Sequence, residues 1–434
     1  MKANMRFLTA TVVFGLMMIS LFSETHHAFA TQVKPPAPPR DEALWKKALE
    51  IQRHAIVIDT HNDITTPMTN DDYDLGGAPP TPYRTSLERM KQGGLTAEFF
   101  SLYVKPFYVE KGGAARRTLD MIDSVYRAIE RHPNDLMFAT SAADIRRAKK
   151  QGKVACLLGI EGGHAIENSL STLREFYRLG VRYMTLTWNN TNDWADAGRG
   201  EKKHNGLTDF GKEVVREMNR LGMLVDVSHV SDKTMSDALD TSKAPIIASH
   251  SSARALVNQP RNIPDDLLRR IAQNGGVVQV NFYSAFVDTD AIKASQERAA
   301  RLKPQMDELE LKYKDDRERL AEEEDKVEAA NPLAPTPLSK LVDHIDHIAK
   351  VAGVDHVGIG ADFDGANDFP EDAKDVSMLP NITYELLKRG YSERDIRKVL
   401  GENFLRVFAA AERVAQQMSR TISGEGSLHR INNF

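Results

Sequence analysis

The stretch AIVIDTHND, residues 55–63, is a continuously apolar run that ends at two residues able to bind a metal, His61 and Asp63. Continuous rather than alternating hydrophobicity is typical of parallel strands that are buried on both faces. Four further apolar runs of this kind also end at a residue that can bind a metal or carry a proton. They are VACLLGI (154–160) before Glu161, MLVDVS (223–228) before His229, PIIAS (245–249) before His250, and HVGIGA (356–361) before Asp362.

Helical segments separate these runs along the chain. Alternation of strand and helix at this spacing predicts a parallel α/β sheet, and the length suits a (β/α)8 barrel of the TIM type. In such barrels the catalytic residues gather where the strands end, on the C-terminal face, so the residues that end the five runs are expected to meet there. Amphipathic helices are predicted over residues 114–131, 169–179, 208–221, 231–239, 264–274 and 337–352.

The first 30 residues are predicted to be a secretory signal peptide. Lys2 and Arg6 precede the apolar stretch 7–22, and the sequence AFA at 28–30 supplies a small-x-small cleavage site. An uncleaved membrane anchor is the alternative, since the apolar stretch is close to the length that spans a bilayer. We therefore expect export to the periplasm or secretion, and a mature protein with no stable membrane anchor.

The rest of the chain is expected to form one large unit. Asp41 is a plausible N-cap for the first helix. The last helix is predicted to begin at Ser392 and to end near Met418, with Asp395 completing a start that resembles a capping box. The predicted order is a proline-rich linker at 31–40, the barrel at 41–420 with a helical insertion at about 290–330, and a frayed polar tail at 421–434.

The segment 290–330 interrupts the barrel pattern. It is dense in Glu, Lys, Arg and Asp, with only scattered Leu, Met and Ala at helical spacing, and Asn331-Pro332 ends it. The pattern predicts an inserted helical hairpin or short coiled coil. Its alternatives are a pair of solvated helices, or a docking arm or lid beside the active site.

Composition limits the possible partners. The formal net charge is −4, from 57 Lys and Arg against 61 Asp and Glu, and no basic stripe interleaved with aromatic residues is present. Nucleic acid is therefore not an expected partner. The single cysteine, Cys156, lies in an apolar run, so we expect a buried thiol and no internal disulfide.

The polar residues that end the runs suit a pair of divalent ions. His61 and Asp63 alternate after a strand, so both can bind one ion. His229 and His250 offer imidazoles for a second ion, and the Glu161 carboxylate is able to bridge both. Nitrogen and oxygen ligands without a thiolate favour Zn²⁺, with Mn²⁺, Co²⁺ or Fe²⁺ as alternatives. Two such ions can share a water, lower its pKa and polarise a carbonyl, which predicts hydrolysis.

Three further residues are candidates for proton transfer and substrate binding. Asp362 is predicted to be the acid/base, being nearer to the strand end than Asp364, for which a loop-capping role is the alternative. Arg261 is a candidate for binding a substrate carboxylate through its guanidinium fork. Its alternative is a structural ion pair with Asp265 or Asp266.

Nine motifs in order resemble the membrane (renal-type) dipeptidases, the M19 peptidases of the amidohydrolase superfamily. The resemblance extends from about Ile56 to Phe408, without the charged insertion. The motifs are IDTHND, GGLTAEFFSLYV, GIEGGHAI, GVRYMTLTWNNTNDWAD, LTDFGKEVVREMNRLGMLVDVSH, ASHSSARAL, RNIPDD, VNFY and GIGADFDG.

The resemblance implies a (β/α)8 barrel with a binuclear zinc site that cleaves dipeptides. The family's pattern of metal ligands and catalytic aspartate matches the polar residues found at the ends of the apolar runs. It implies a dipeptide substrate, in many members with a D-residue at the C-terminal position, and a homodimer. The implied roles are metal ligands at His61, Asp63, Glu161, His229 and His250, a catalytic aspartate at Asp362, and substrate-carboxylate binding at Arg261.

One position departs from the family's pattern. Renal-type enzymes carry a histidine directly after the strand that corresponds to YMTLT, residues 183–187 here. That histidine contacts the scissile carbonyl, and in this chain its position is Trp188. An indole N–H donates one hydrogen bond but cannot become cationic, so the oxyanion is expected to rely on metal, Asn189 or Asn192. The change leaves an N-acyl-amino-acid deacylase open as an alternative function. A separate alternative is an exported binding protein that kept the fold without catalysis.

Overall fold

Nine parallel strands and their crossover helices form the framework of the chain. The computed structural model describes residues 39–77 and 81–431, so the predicted signal peptide and residues 31–38 of the predicted linker lie outside the described residues. From Asp41 onward the chain is one unit. The strands are β1 (Ile58–Asn62), β2 (Ala97–Tyr103), β3 (Leu136–Phe138), β4 (Val154–Glu161), β5 (Val181–Thr185), β6 (Leu224–Asp226), β7 (Ile247–Ala248), β8 (Val277–Val280) and β9 (Val357–Ile359).

Eight of these strands close into a barrel. Their order is β1-β2-β4-β5-β6-β7-β8-β9, every neighbouring pair is parallel, and β3 pairs with β4 outside this path. A parallel bridge between Asn62 and Phe363 closes the ring, where the amide of Asp63 donates to the carbonyl oxygen of Phe363 at 2.8 Å. This confirms the predicted (β/α)8 fold. Strand β3 is not among the five runs that the sequence singles out, because Ala139 and Thr140 follow it rather than a potential metal ligand.

Helices surround the barrel at the predicted positions. The helices are α1 (Glu42–His54), α2 (Thr65–Asn70), α3 (Leu87–Gln92), α4 (Phe107–Lys111), α5 (Ala114–Arg131), α6 (Ala142–Gln151), α7 (Leu170–Arg178), α8 (Asp209–Leu221), α9 (Asp232–Thr241), α10 (Asp265–Gln273), α11 (Ser284–Val287), α12 (Thr289–Lys312), α13 (Arg317–Ala329), α14 (Leu338–Ala352), α15 (Leu379–Lys388), α16 (Glu393–Arg397) and α17 (Asn403–Ile431). A π-helical turn, Lys398–Glu402, joins α16 to α17.

Side-chain caps explain where many of these helices begin. Asp41 accepts from the amide of Leu44 at 3.0 Å, so the first helix starts where the sequence predicts. Ser169, Thr208 and Ser231 cap α7, α8 and α9 in the same way. The predicted end of the last helix was wrong, because α17 continues past Met418 to Ile431, and its sequence contains no proline to stop it.

Large apolar side chains fill part of the barrel interior. Phe99, Tyr183 and Leu224 from three strands pack with Phe404 and Phe408 of α17 in one buried cluster. Phe99 and Phe404 meet edge to face with ring centroids 5.2 Å apart. The barrel is therefore a packed core rather than a pore.

The charged segment 290–330 forms the predicted helical hairpin, α12 and α13. Arg298 of α12 forms a buried ion pair with Asp368, at 2.8 Å from Nη1 to Oδ2, and Asp368 lies in the segment that follows β9. The second oxygen of Asp368 accepts from the amide of Leu333 at 2.9 Å, beyond the end of α13. Both ends of the hairpin are thus fixed to the segment that begins with Asp362. In residues 39–77 and 81–431, no helix is long and apolar enough to cross a membrane.

Candidate metal centre

Glu161 lies between two sets of potential metal ligands. Its Oε2 is 3.5 Å from His61 Nε2, which in turn is 3.4 Å from Asp63 Oδ2. Its Oε1 is 2.9 Å from His229 Nε2 and 3.5 Å from His250 Nε2. The structure therefore brings together all five residues that the sequence predicts as ligands, with one carboxylate oxygen directed to each set.

Asp362 joins the first set. Ligand atoms of His61, Asp63 and Asp362 all lie within 4.8 Å of one another, as do those of His61, Glu161 and His250. The barrel closure explains this proximity, since the amide of Asp362 donates to the carbonyl oxygen of His61 at 3.0 Å. Asn281, just after β8, donates from Nδ2 to Asp362 Oδ2 at 2.8 Å and fixes the carboxylate.

The three histidines present the same ring nitrogen to the centre. Tyr183 donates its hydroxyl to the carbonyl oxygen of Thr60, so its oxygen accepts from His61 Nδ1 at 2.8 Å. Asn189 Oδ1 accepts from His229 Nδ1 at 3.1 Å. With Nδ1 protonated in this way, Nε2 of these rings carries a lone pair that faces inward.

A buried aspartate orients the third ring, His250. Its Nδ1 donates to Ser249 Oγ at 2.8 Å, and Ser249 Oγ donates to Asp226 Oδ2 at 2.6 Å. Asp226 also accepts from the amides of Ser228 and Ser249 through Oδ1. This carboxylate at the end of β6 therefore fixes the orientation of His250 through the serine.

The donor set fits divalent cations. His61 Nε2 and Asp63 Oδ1 are buried without a hydrogen-bond partner among the described residues. The Nε2 atoms of His229 and His250 are 2.8 Å apart, and neutral imidazoles with inward lone pairs repel at that distance unless a cation binds between them. Imidazole nitrogens and carboxylate oxygens without thiolates are the ligands that zinc and its neighbours use in hydrolases.

Electrostatics agree with this assignment. Burial, followed by the charge of Arg261, lowers the pKa of His229 to about 3. Burial also holds the pKa of His250 well below its usual range. Both rings are therefore neutral at neutral pH, as ligands must be. Burial opposes a charge on His61, but Tyr183 and the carboxylates of Glu161 and Asp63 raise its pKa well above the usual value, which marks an excess of negative charge.

The environment of Asp362 suits a proton carrier. Burial, with the charges of Asp63 and Glu161, raises the pKa of Asp362 from 3.8 to about 7. Asp364 instead accepts from the amide of Arg84 at 2.7 Å through Oδ1, which is the loop-capping arrangement considered from the sequence. Of the two aspartates, Asp362 is the one that lies with His61 and Asp63.

Two of these residues have left-handed backbone. His229 and Asp362 have φ angles of 66° and 64°, which residues other than glycine rarely adopt. Each comes three residues after the end of its strand, β6 or β9, so the chain turns sharply at the residue whose side chain enters the centre. This rarely adopted backbone conformation therefore directs both side chains into the centre.

Arg261 is buried at the same face, with 3% of its surface exposed. Nη2 donates to the carbonyl oxygen of His250 at 3.2 Å, and Nε has no partner among the described residues. The ion pairs considered for it are absent there, since Asp265 pairs with His347 at 2.8 Å. An unpaired buried guanidinium beside the centre is suited to an anionic substrate group.

Trp188 lies at the centre, packed between Tyr103 and His229 with ring centroids 5.1 Å and 6.1 Å away. Asn192, considered from the sequence for stabilising an oxyanion, is hydrogen-bonded within its own loop. Its Nδ2 donates to the carbonyl oxygen of Leu186 at 2.9 Å, and its Oδ1 accepts from the amides of Trp194 and Ala195. These contacts of Asn192 shape the loop, and Asn189 Oδ1 accepts from His229 Nδ1.

Sequence reasoning missed the residues that orient the others. Tyr183, Ser249, Asp226 and Asn281 hold the histidines and Asp362, but no motif distinguishes them from structural polar residues. The signal that could have found Asp226 and Ser249 is their place at strand ends, three residues before His229 and one before His250. His164, three residues after Glu161, donates from Nε2 to the carbonyl oxygen of Val104 at 2.8 Å.

Comparison with known proteins agrees with this geometry. The profile of the membrane dipeptidases, peptidase family M19, matches residues 45–421. The chain belongs to this family. Membership places this M19 protein among metal-dependent dipeptidases.

Solved structures of similar proteins extend the match. The probable dipeptidase PvdM from Pseudomonas aeruginosa is 27% identical, with a TM-score of 0.74 over 86% of this chain and 100% of that one. The dipeptidase AC, a metallopeptidase of family M19, is 25% identical, with a TM-score of 0.68 over 82% of this chain and 98% of that one. A metallopeptidase from Rhodobacter sphaeroides, solved with a phosphinate mimic of the dipeptide L-Ala-D-Ala, is 25% identical, with a TM-score of 0.68 over 82% and 99%.

Proposed function

We propose that this M19 protein is an exported dipeptidase that uses two divalent ions, with zinc as the first choice. The observation that carries the proposal is the position of Glu161, which directs one oxygen to His61 and the other to His229 and His250. His61 and Asp63 would hold one ion, His229 and His250 the other, and Glu161 both. Bound there, the ions would act as Lewis acids toward the peptide carbonyl and would lower the pKa of the attacking water.

Asp362 supplies the proton transfers in this proposal. Its carboxylate accepts a proton as the water attacks, and the resulting acid gives the proton to the leaving amine. A pKa near 7 suits both roles, since the group exchanges protons easily at neutral pH. Asn281 keeps one carboxylate oxygen fixed by its hydrogen bond, so the other oxygen is directed toward the reacting atoms.

Arg261 positions the substrate by its C-terminal carboxylate. Its side chain is buried between the backbone of His250 and the ring of Phe286, 5.3 Å from the ring centroid. A carboxylate that pairs with this guanidinium places the peptide bond of a dipeptide, rather than of a long chain, near the ions. The Rhodobacter sphaeroides relative with its L-Ala-D-Ala mimic supports dipeptides with a C-terminal D-residue as substrates. Together with the signal peptide predicted from the sequence, this similarity supports dipeptides derived from the cell wall as the natural substrates.

A second function is favoured by Trp188. The indole packs on Tyr103 and offers an apolar surface beside His229, where renal-type enzymes have a histidine. Such a surface would also accept an acyl group, so an N-acyl-amino-acid deacylase is the competing proposal. It predicts turnover of N-acetyl amino acids and little turnover of free dipeptides.

The deciding experiment measures metal content together with hydrolysis of L-Ala-L-Ala, L-Ala-D-Ala and N-acetyl-D-alanine. Wild type and Asp362→Asn are compared, with Asp364→Asn as the matched control in the same loop. We expect two ions per chain in all three proteins and dipeptide cleavage that only Asp362→Asn reduces, by about 100-fold or more. Two ions with turnover of the acetylated substrate alone would favour the deacylase. Full activity of Asp362→Asn would reject the proposed proton carrier.

A further inference from the structure

Arg199 lies beside the candidate metal centre but is not part of the ligand set. It is in the loop between β5 and α8, next to Gly198, whose amide donates to the carbonyl oxygen of His229 at 2.6 Å. Ala197, one residue earlier, forms an isolated antiparallel bridge with Val230. The backbone before Arg199 is therefore fixed against the segment that carries His229.

Arg199 and Arg261 share one aromatic platform, Phe286. The guanidinium carbon of each is 5.3 Å from the centroid of the Phe286 ring. Phe286 is 5% exposed, and its ring packs edge to face on Tyr283 with centroids 4.9 Å apart. Because the platform is buried and supported from behind, it holds the two cations in a defined relation to each other.

The two guanidinium groups have no directly paired carboxylate among the described residues, and Asp362, Glu161 and Asp226 act on Arg261 by charge alone. Among residues 39–77 and 81–431, no carboxylate forms an ion pair with either of them. Only 3% of the surface of Arg261 is exposed, and its Nε has no hydrogen-bond partner in that part of the chain. Burial lowers the pKa of Arg261 to about 10, and the charge of Arg199 is the next largest cause. Two repelling cations at one face are stabilised by a bound anion.

We propose that Arg199 and Arg261 form a subsite for a dicarboxylate, so that the favoured dipeptides have an acidic C-terminal residue. This inference rests on the proposed dipeptidase function. Arg261 binds the α-carboxylate, which every dipeptide has. Arg199 binds the side-chain carboxylate of glutamate or aspartate, and its own exposed side chain can follow carboxylates at different distances.

The first test compares a charged side chain with its neutral amide. We expect wild type to cleave Ala-Glu with at least about tenfold higher kcat/KM than Ala-Gln, using both stereoisomers of the C-terminal residue. Arg199→Met should remove this preference by lowering kcat/KM for Ala-Glu at least about tenfold more than kcat/KM for Ala-Gln, and Arg199→Lys should retain part of the preference. Arg116→Met, at a position on α5 where 86% of the side chain is exposed, is the matched control. Equal losses on both peptides in Arg199→Met, or no preference in wild type, would overturn the subsite.

The second test separates this inference from the proposed function. Free glutamate and glutamine, the products of those peptides, are titrated calorimetrically into metal-replete wild type and Arg199→Met. Selective glutamate binding that Arg199→Met loses, without turnover of any dipeptide, would support the subsite and reject the dipeptidase. Dipeptide turnover with equal binding of glutamate and glutamine would support the dipeptidase and reject the subsite.

Discussion

The Nε2 atoms of His229 and His250 lie 2.8 Å apart, although the two residues follow different strands. Their Nδ1 atoms are both engaged as donors, to Asn189 and to Ser249. The protein therefore holds two lone pairs against each other, and this arrangement is favourable only when a cation is bound. Folding and metal binding should be thermodynamically linked here.

Removal of the ions should destabilise the protein as well as inactivate it. At a free ion concentration of about 1,000 times Kd, binding contributes about 4 kcal/mol to the free energy of unfolding. Dialysis against a chelator should lower Tm by several degrees in differential scanning calorimetry, and Zn²⁺ should restore it. Glu161→Gln is the control, since it should respond much less to either treatment. A wild-type Tm that the chelator leaves unchanged would contradict the linkage.

Asp362 should make the stability of the metal-free protein depend on pH. Its pKa is raised from 3.8 to about 7 in the fold, chiefly by burial, so the unfolded chain loses this proton first as pH rises. The carboxyl group therefore costs no stability below the unfolded pKa, and its cost grows up to about pH 7 and is constant above it.

Urea unfolding of metal-free wild type and Asp362→Asn tests this. The two proteins should be equally stable near pH 4, and the asparagine variant should become the more stable one by about pH 8. Asp364→Asn serves as a comparison, because burial raises the pKa of Asp364 only to about 6. A stability difference that does not change with pH would show that Asp362 is not protonated in the metal-free fold.

Ser249→Ala should weaken metal binding without changing the fold. The substitution removes the hydroxyl through which Asp226 orients His250. Loss of such an outer partner usually lowers metal affinity by about 10- to 100-fold. Competition with a chromophoric chelator measures the affinity, and Ser242→Ala, whose hydroxyl bonds to Asn219 and Ala244, is the control. Unchanged affinity in Ser249→Ala would mean that the serine does not transmit the effect of Asp226.

The ion pair between Arg298 and Asp368 should be important for stability. Only 5% and 6% of the two side chains are exposed, so removing one partner leaves a buried charge. Arg298→Met should lower the free energy of unfolding by about 3–5 kcal/mol. Lys303→Met on the same helix breaks an exposed pair with Asp307 and should cost about 1 kcal/mol or less. Similar losses in the two variants would show that burial does not determine the effect.

The fold and the ligand set could be predicted because local sequence encodes them. Each apolar run must be buried on both faces, and a polar residue at its end must lie at the barrel rim, whatever the neighbouring strands do. His250 and Asp362 were found in this way. The helix starts were predictable for the same reason, since Asp41 and Thr208 cap helices through contacts three residues away.

The surrounding residues could not be predicted, because their roles depend on which strands become neighbours. Tyr183 contacts His61, which is 122 residues earlier, and Asn281 contacts Asp362, which is 81 residues later. A tyrosine in an apolar strand is usually a packing residue. The positions of Arg199 and Arg261 over Phe286 likewise depend on how two loops and helix α11 pack together, and no local sequence pattern predicts this.

The positive φ angles of His229 and Asp362 set a trade-off between durability and activity. Glycine would adopt this left-handed backbone without the roughly 1–2 kcal/mol penalty that other residues pay. In the metal-free protein, glycine at either position should therefore raise the free energy of unfolding, but it would remove a metal ligand or the proton carrier. Selection for stability of the metal-free protein alone would favour loss of this site, so a screen for stabilised variants needs metal-replete protein and turnover as a second criterion.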